Sequence, residues 1–311
     1  GKVIDKYDKL TLRNGGNCAF TTKYSDAFWQ ALLGDMACET QATRPCVVYL
    51  NGEYWGIYIL QEDYDDAYFE ETHGVNSDTV VVYKGDAEKL ALGYELDEGD
   101  LPEGVTDETY YFHDLLKFFD THKDLTAQKD YDEFSKLVDV QSVLDYFAVN
   151  VWVNNKWDWP GKNWSAWKVT ETDPANPYAD GRWRLCYYDL DFGGVSGSGD
   201  ASTNTIKEDN YKPNGLLNPD TNNPMVKSFA YLMTNEGFRE KFAERLHYLS
   251  ANNFKNEYAL SIATKFKDTY SPLYDQYFAR FSNVGSADNA IYGGYASHCC
   301  MTGFIAENPH A

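Results

Sequence analysis

The pattern of hydrophobic and polar residues changes character along the chain, and its first part favours short β-strands. Leu10–Arg13, Cys46–Leu50 and Thr79–Tyr83 are short segments rich in apolar or β-branched residues. Asn51-Gly52 follows the second of them, and this dipeptide is the strongest short signal for a two-residue hairpin turn. The return strand is then Glu53–Leu60, so an antiparallel hairpin is predicted here.

Helical periodicity is clearest in the second half of the chain. In Val140–Asn154, apolar residues recur at helical spacing, and Asp139 stands before them as a favourable N-cap. Two helices are predicted in the first half and three more in the second: Tyr24–Leu33, Asp65–Thr72, Met225–Met233, Glu236–Ser250 and Phe254–Tyr270. A second hairpin, Asn163–Val169 with Trp183–Tyr188, separates the central helix from the last three.

This order of elements predicts an α+β fold with two lobes in a single domain over residues 1–311. The sheet-containing N-terminal lobe is expected over residues 1–130, and the mainly helical C-terminal lobe over residues 131–311. Two polar segments interrupt the pattern, and we expect both to be surface loops: the acidic Gly85–Glu108 and the Gly-, Ser- and Asn-rich Gly193–Asn223.

Charge and composition exclude some function classes. The chain has 27 Lys and Arg against 48 Asp and Glu, a formal net charge of -21, which repels phosphate backbones and argues against nucleic-acid binding. No stretch of about eighteen apolar residues occurs, so no membrane span is predicted. Acidic chains rich in Tyr and Trp and poor in Lys are typical of exported or cell-surface proteins.

The candidate chemistry follows the central helix. Asp158 and Asn163 have the Asp-x-x-x-x-Asn spacing of a kinase catalytic loop, and Asp191-Phe192-Gly193 follows the second hairpin, as it does in kinases. In that arrangement one carboxylate orients or deprotonates the substrate hydroxyl. Hard oxygen ligands hold Mg²⁺, and here we assign this role to Asn163, Asp191 and, as a third ligand or a supporting group, Asp189. We expect Asp189 and Asp191 to point to the same side of an extended strand.

Other interpretations of these residues stay open. Asp158 could cap the bend at Trp159-Pro160, and Asp189 and Asp191 could cap a strand or bind calcium with Asp200. A carbohydrate-handling protein is a further alternative, because Trp157 and Trp159 flank Asp158 and aromatic rings stack on sugars. Asp158 with Asp189 or Asp191 would then be a glycosidase carboxylate pair.

Several motifs together resemble the spore-coat CotH-type kinases. They are Leu12-Arg13-Asn14-Gly15-Gly16-Asn17, Val48–Tyr58 with Glu62, Asp145-Tyr146-Phe147, Asn155–Asp158 with Asn163, and Tyr188–Gly193. The resemblance implies a two-lobed protein-kinase-like fold and an atypical protein kinase that uses ATP with Mg²⁺ or Mn²⁺ to phosphorylate Ser or Thr. It implies that Asp158 is the catalytic aspartate and that Asp191 or Asp189 binds the metal.

The kinase order also assigns nucleotide contacts. Glu62 would start the hinge beside the adenine, and Tyr24–Leu33 would be the regulatory helix. Arg13, Lys84 and Lys162 compete for the role of the residue that contacts the phosphates.

The resemblance further implies a bacterial, extracytoplasmic location, secreted or at the cell surface, and a coat or surface protein as substrate. Members occur in multidomain and cellulosome-type proteins, so this chain is expected to be part of a larger protein. The alternative within the same family is a catalytically silent kinase-like module, one that binds or supports another component and is associated with carbohydrate.

Overall fold

The structure, a computed structural model, describes residues 7–85, 93–155, 159–194, 204–206, 215–294 and 296–307. Its strands form two antiparallel sheets, with the orders β1-β3-β2 and β5-β4-β6-β7. The strands are β1 (Leu10–Arg13), β2 (Thr43–Leu50), β3 (Glu53–Glu62), β4 (Val80–Gly85), β5 (Tyr94–Glu98), β6 (Ser165–Val169) and β7 (Arg184–Cys186). The predicted α+β class is confirmed, whereas the kinase-like arrangement of two lobes stays a prediction.

The predicted Asn-Gly hairpin is confirmed in the first sheet. Asn51 and Gly52 both have positive φ, at 51° and 81°, as a type I′ turn requires, and Leu50 pairs with Glu53. Strand β1 lies antiparallel on the other side of β3. Ile57 and Ile59 face the core from the central strand, which fixes the register of the sheet.

The second sheet corrects the expectation that Gly85–Glu108 is only a surface loop, because this segment contains β5. Tyr94 is buried against Tyr83 and Phe112, while Glu95 and Asp97 stay partly exposed beside Lys84. Strand β4 pairs with β5 on one side and β6 on the other. The sheet therefore joins strands from before and after residue 130, and a lobe boundary at that residue stays a prediction.

Ten α-helices occur in the part of the chain that the structure describes. They are α1 (Ser25–Ala31), α2 (Asp66–His73), α3 (His113–Thr121), α4 (Gln128–Phe134), α5 (Val140–Trp152), α6 (Pro224–Leu232), α7 (Glu236–Ala251), α8 (Asn256–Arg280), α9 (Ala287–Tyr292) and α10 (His298–Glu307). No helix within the described ranges is both long and apolar enough to cross a bilayer.

The central helix α5 forms as its sequence predicts. The Asp139 carboxylate accepts hydrogen bonds from the backbone N–H groups of Gln141 and Ser142, which caps the helix. Its buried face packs in the largest core, where the Phe147 and Phe229 rings stack 4.2 Å apart. Helix α5 therefore packs against β7 of the second sheet and against α7.

Helix α8 extends ten residues beyond the predicted end at Tyr270, although Pro272 lies inside it. Proline removes one backbone hydrogen bond and usually ends or kinks a helix. Here Tyr274 and Phe278, in the extension, are buried, and the Tyr274 hydroxyl donates to the Thr22 carbonyl at 2.8 Å. Tertiary packing therefore outweighs the local cost of the proline.

Candidate functional site

One guanidinium brings together three carboxylates from distant parts of the chain. Arg13, the last residue of β1, donates from Nη1 to Asp26 at 2.5 Å and from Nη2 to Asp189 at 2.5 Å and Asp191 at 2.9 Å. We call these four residues the Arg13 cluster. Burial opposes the charge of Arg13, but the carboxylates outweigh it and raise the pKa of the guanidinium further, so it stays charged.

Two glycines let the chain pass closely over this cluster. Gly15 and Gly16 follow Arg13 with φ of 100° and 52°, values that residues with a side chain rarely adopt. A Cβ on Gly16 would collide with Asp191 Oδ2. The next residue, Asn17, donates its backbone N–H to that same oxygen at 3.0 Å. The Gly-Gly motif is therefore needed for the backbone to contact the Asp191 carboxylate.

The acidic residues converge by a route that differs from the sequence expectation. Strand β7 ends at Cys186, Asp189 has a left-handed backbone with φ of 53°, and Asp191 lies in a short helical turn, Leu190–Phe192. The extended i, i+2 geometry expected for the two aspartates is therefore wrong. Both carboxylates nevertheless reach the same nitrogen of Arg13.

Asp26, on α1, was not identified from the sequence as a site residue. Its carboxylate binds Arg13, accepts from the Leu190 N–H at 2.7 Å, and accepts from Gln30 Nε2 at 3.0 and 3.2 Å. The Trp29 indole, on the same helix, donates to the Gly193 carbonyl at 2.9 Å. Helix α1 therefore fixes both Arg13 and the Asp-Phe-Gly segment. The sequence signal was an acidic residue in the first turn of a buried helix that follows a Gly-Gly loop.

The Arg13 cluster carries more negative than positive charge. Three carboxylates surround one guanidinium, which leaves two formal negative charges. Asp191 is only 1% exposed. Burial, together with Asp189 and Asp26, raises the pKa of Asp191 well above its ordinary value, although Arg13 acts in the opposite direction. A further cation would therefore stabilise the ionised carboxylates of the cluster.

A cavity of about 250 Å³ opens beside the cluster, between the two sheets. Arg13 and Asp189 line it, together with Gln61 of β3, Lys84 of β4 and Tyr188. Lys84 Nζ lies 2.5 Å from Asp97 Oδ1 and 3.5 Å from Glu95 Oε1. Burial opposes its charge, yet these two carboxylates raise the pKa of Lys84. Three of the predicted nucleotide- or metal-contacting residues, Arg13, Lys84 and Asp189, thus share one cavity.

Glu62, Lys162 and Asn163 are not among the described residues that line this cavity. Glu62 accepts the Ala42 N–H at 2.7 Å through Oε2, and burial raises its pKa. Lys162 lies beside Gly85 at the end of β4. Asn163 has a left-handed backbone, and its carbonyl accepts from the Tyr146 hydroxyl at 3.4 Å. Within the described ranges, the Asn163 side chain makes no hydrogen bond to Asp189 or Asp191.

Asp158, the predicted catalytic residue, lies outside the described residues, as do Trp157 and Asp200. The neighbouring Trp159 is buried, and its indole donates to the Tyr146 hydroxyl at 2.9 Å. A ring held in the core in this way offers no face to a sugar. The expectation that Trp159 forms part of a sugar-stacking platform is therefore wrong.

The Arg13 cluster has the chemistry, though not the present geometry, of a divalent-cation site. Over the described ranges, no group of three or more His, Cys, Asp or Glu side chains is arranged around a common metal position. In the cluster, Arg13 Nη2 lies between Asp189 and Asp191 and binds both. Carboxylate oxygens with two excess negative charges are nevertheless the hard ligands that Mg²⁺ or Mn²⁺ prefers. The donor set therefore fits such a cation.

Comparison with known proteins identifies the family. No curated protein matches the chain significantly. The family model described as CotH kinase protein matches residues 2–296, a range that includes the Arg13 cluster and every residue lining the cavity. The CotH resemblance noted in the sequence is thereby confirmed, and the chain belongs to the CotH kinase protein family.

Proposed function

We propose that this domain is an ATP-dependent protein kinase that transfers the γ-phosphoryl group to Ser or Thr with the help of Mg²⁺ or Mn²⁺. The observation that carries the proposal is the Arg13 cluster, with its uncompensated acidic charge beside a cavity between two sheets. Phosphoryl transfer depends mainly on positioning and on charge neutralisation, and both are properties of such a cluster.

Different residues of the chain would bind the phosphates and the divalent cation. Arg13 offers a permanently charged guanidinium to the phosphates, and Asp26 positions it from α1. Asp189 and Asp191 would hold the divalent cation, with Asn163 as the further ligand that the motif spacing suggests. The bound cation would supply charge neutralisation at the phosphate oxygens. Lys84, on the cavity wall, is the second basic group available to the phosphates.

Asp158 is proposed as the group that accepts the proton of the substrate hydroxyl. Motif spacing and family membership support this role. Such a base needs little pKa shift, because the hydroxyl proton leaves late in a loose transition state. The target hydroxyl would belong to a coat or surface protein outside the cytoplasm, and the domain would act within a larger protein.

The test is transfer of labelled phosphate by the wild type and by Asp158→Asn, with nucleotide binding measured on the same samples. We expect Asp158→Asn to keep the rise in Tm that Mg·ATP causes, while turnover falls at least ~100-fold, as for loss of a general base. The matched control is Asp275→Asn, at an exposed position on α8, which should change neither quantity.

The result also separates the kinase from the silent module. If Mg·ATP stabilises the wild type but no phosphate reaches the domain itself or any added protein, the domain binds nucleotide without turnover. If oligosaccharide rather than nucleotide raises Tm, the domain belongs to the carbohydrate-binding alternative.

A further inference from the structure

Two glutamine side chains form a directed pair on the cavity wall. Gln61, on β3, is 4% exposed, and Gln41, just before β2, is also buried; both line the cavity with Arg13. Gln61 Nε2 donates to Gln41 Oε1 at 2.6 Å, and Gln41 Nε2 donates to the Glu62 carbonyl at 2.6 Å. The pair therefore ends on a backbone group that belongs to the central strand of the first sheet.

This backbone carbonyl fixes the orientation of both amides. A carbonyl oxygen only accepts, so the Gln41 group that faces Glu62 must be its NH₂. Gln41 Oε1 then faces Gln61 and must accept, so Gln61 has to direct its own NH₂ toward Gln41. Each step of this assignment follows from the previous one, because the hydrogen-bond partners determine which end of each amide is the NH₂ group. Gln61 Oε1 is consequently held away from Gln41.

Gln61 Oε1, the acceptor atom at the end of this series of hydrogen bonds, is available to a ligand. No donor within the described part of the chain bonds to Gln61 Oε1, and the atom is not sealed in the interior. The neighbouring acidic residue on the wall, Asp63, is different: Oδ2 is bound by Thr11 and Lys9, and Oδ1 accepts the Tyr64 N–H. The cavity therefore offers a ligand one acceptor of fixed direction at Gln61.

The same wall is connected to the Arg13 cluster. The Gln41 backbone N–H donates to Gln30 Oε1 at 2.7 Å, and Gln30 Nε2 donates to Asp26, which holds Arg13. The proposed phosphate-binding group and the fixed acceptor are thus positioned by one continuous set of hydrogen bonds. A ligand that engages both has an anionic part and a part with a hydrogen-bond donor, such as the exocyclic amino group of a base.

We infer that the Gln41–Gln61 pair selects the nucleotide base, with Gln61 Oε1 accepting a hydrogen bond from the 6-amino group of adenine. This inference rests on the proposed function, because it supposes that the nucleotide occupies the cavity. A 6-oxo purine such as guanine or hypoxanthine would place an acceptor against this acceptor. The locked amide could not turn to relieve the repulsion, so 6-oxo purines are rejected.

Three nucleotides test this in the wild type without any substitution. ATP, purine riboside triphosphate and ITP differ at position 6, which carries an amino group, a hydrogen or an oxo group. Titration calorimetry with Mg²⁺ should give affinities in that order. Loss of the 6-amino hydrogen bond should weaken the affinity roughly tenfold, and placing the 6-oxo acceptor against Gln61 Oε1 should weaken it roughly tenfold again. ITP should therefore bind on the order of 100-fold more weakly than ATP.

Gln41→Met tests the positioning role of Gln41. Without Gln41, the Gln61 amide is free to rotate and present its NH₂ to a 6-oxo group. We therefore expect the ratio of ATP to ITP affinity to fall by about tenfold while nucleotide binding persists. Gln61→Met should remove the discrimination altogether. Gln128→Met, the same substitution at a helix position away from the cavity, should leave the ratio unchanged.

The outcomes distinguish this inference from the proposed function. If the wild type binds ATP and ITP equally well, the base-reading role is wrong and the kinase proposal stands. If it binds none of the three nucleotides, the proposed function fails and this inference fails with it. If Gln41→Met keeps the wild-type ratio, Gln41 does not orient Gln61.

Discussion

Two arginines in this protein hold buried aspartates, and the surroundings of each differ in charge. Arg245, on α7, binds Asp145 of α5 through two parallel hydrogen bonds of 2.6 and 2.7 Å. Asp145 also accepts the Ala37 N–H and the Gln141 amide. This pair is balanced in charge, whereas Arg13 shares its guanidinium among three carboxylates.

The difference separates a structural ion pair from a site. A bidentate, fully hydrogen-bonded pair has no use for a further charge, so Arg245 and Asp145 simply join α5 to α7. The Arg13 cluster has two more carboxylates than cationic groups and lies beside a cavity, and a protein retains such an imbalance where a cation or a reaction uses it. The comparison predicts that the two arginines respond differently to the same substitution.

Loss of either guanidinium should have the largest effect on stability, and Mg²⁺ should separate the two cases. Arg245→Met leaves the Asp145 carboxylate buried without its counter-charge, although the Ala37 and Gln141 hydrogen bonds remain, and this costs about 3–5 kcal/mol of the free energy of unfolding. Arg13→Met should cost a similar amount in EDTA, but a divalent cation can replace the guanidinium among the carboxylates. Urea unfolding with and without Mg²⁺ measures this. Equal responses of the two variants to Mg²⁺ would contradict the distinction.

Neutralising one aspartate in each region is the next test. Mg·ATP at ~100 times its Kd should add about 2.7 kcal/mol to the wild-type free energy of unfolding. Asp191→Asn removes a hard ligand and one excess charge, so this increment should disappear and phosphoryl transfer should fall at least ~100-fold. Asp145→Asn should lower Tm without nucleotide yet keep the increment. Tm measured with and without Mg·ATP gives the increment for each variant. If Mg·ATP stabilises Asp191→Asn as much as the wild type, the assignment of Asp191 as a metal ligand is wrong.

The sequence predicts those parts of the fold that depend on local signals. The Asn51-Gly52 turn and the cap of α5 at Asp139 are such signals, and both are confirmed. Local signals do not predict strand β5, because acidic residues follow its core-facing Tyr94 and the segment therefore has the composition of a polar loop. The extension of α8 past Pro272 depends on aromatic packing that no local rule contains.

In the site, too, motif order predicts some residues, whereas the others depend on tertiary packing. Motif order led to Arg13, Lys84 and Asp189, which do line one cavity. The kinase order of motifs assigns Glu62 to the nucleotide, but Gln61 lines the cavity, because neighbouring side chains of a strand point to opposite faces. Asp26 joins the cluster only through the packing of α1 against the Leu190–Phe192 turn.

Lys23 is a buried cation that forms no ion pair with any carboxylate of the described residues. Lys23 is 2% exposed, and its Nζ donates to the Asn14 carbonyl at 2.6 Å and the Tyr277 hydroxyl at 3.0 Å. Burial lowers its pKa to about 8. Between pH 8 and about 10.4 the unfolded chain therefore binds more protons at this residue than the folded one, so its contribution to stability rises with pH.

Lys23→Met should remove this dependence. We expect the wild type to gain up to about 1.4 kcal/mol per pH unit relative to the variant above pH 8, and the difference to be constant below it. Urea unfolding of both proteins from pH 7 to 9.5 measures the difference between their free energies of unfolding. The titration of the tyrosines, which both proteins contain, cancels in this difference. A constant difference over the whole range would mean that the folded protein does not depress the pKa of Lys23.

The exposed ion pair of Arg280 and Glu53 should have the smallest effect on stability. Arg280 Nη1 lies 2.7 Å from Glu53 Oε1, as close as the buried pairs, but Glu53 is on the surface. The Arg280 guanidinium also lies 5.0 Å above the Trp55 ring, so this contact holds it without the carboxylate. Water screens the charges and both long side chains lose freedom in pairing, so such pairs contribute roughly 0–1 kcal/mol. Glu53→Gln should therefore change the free energy of unfolding by no more than ~0.5 kcal/mol, and less in 0.5 M salt. A loss as large as that of Arg245→Met would show that distance, rather than burial and charge balance, governs ion pairs in this protein.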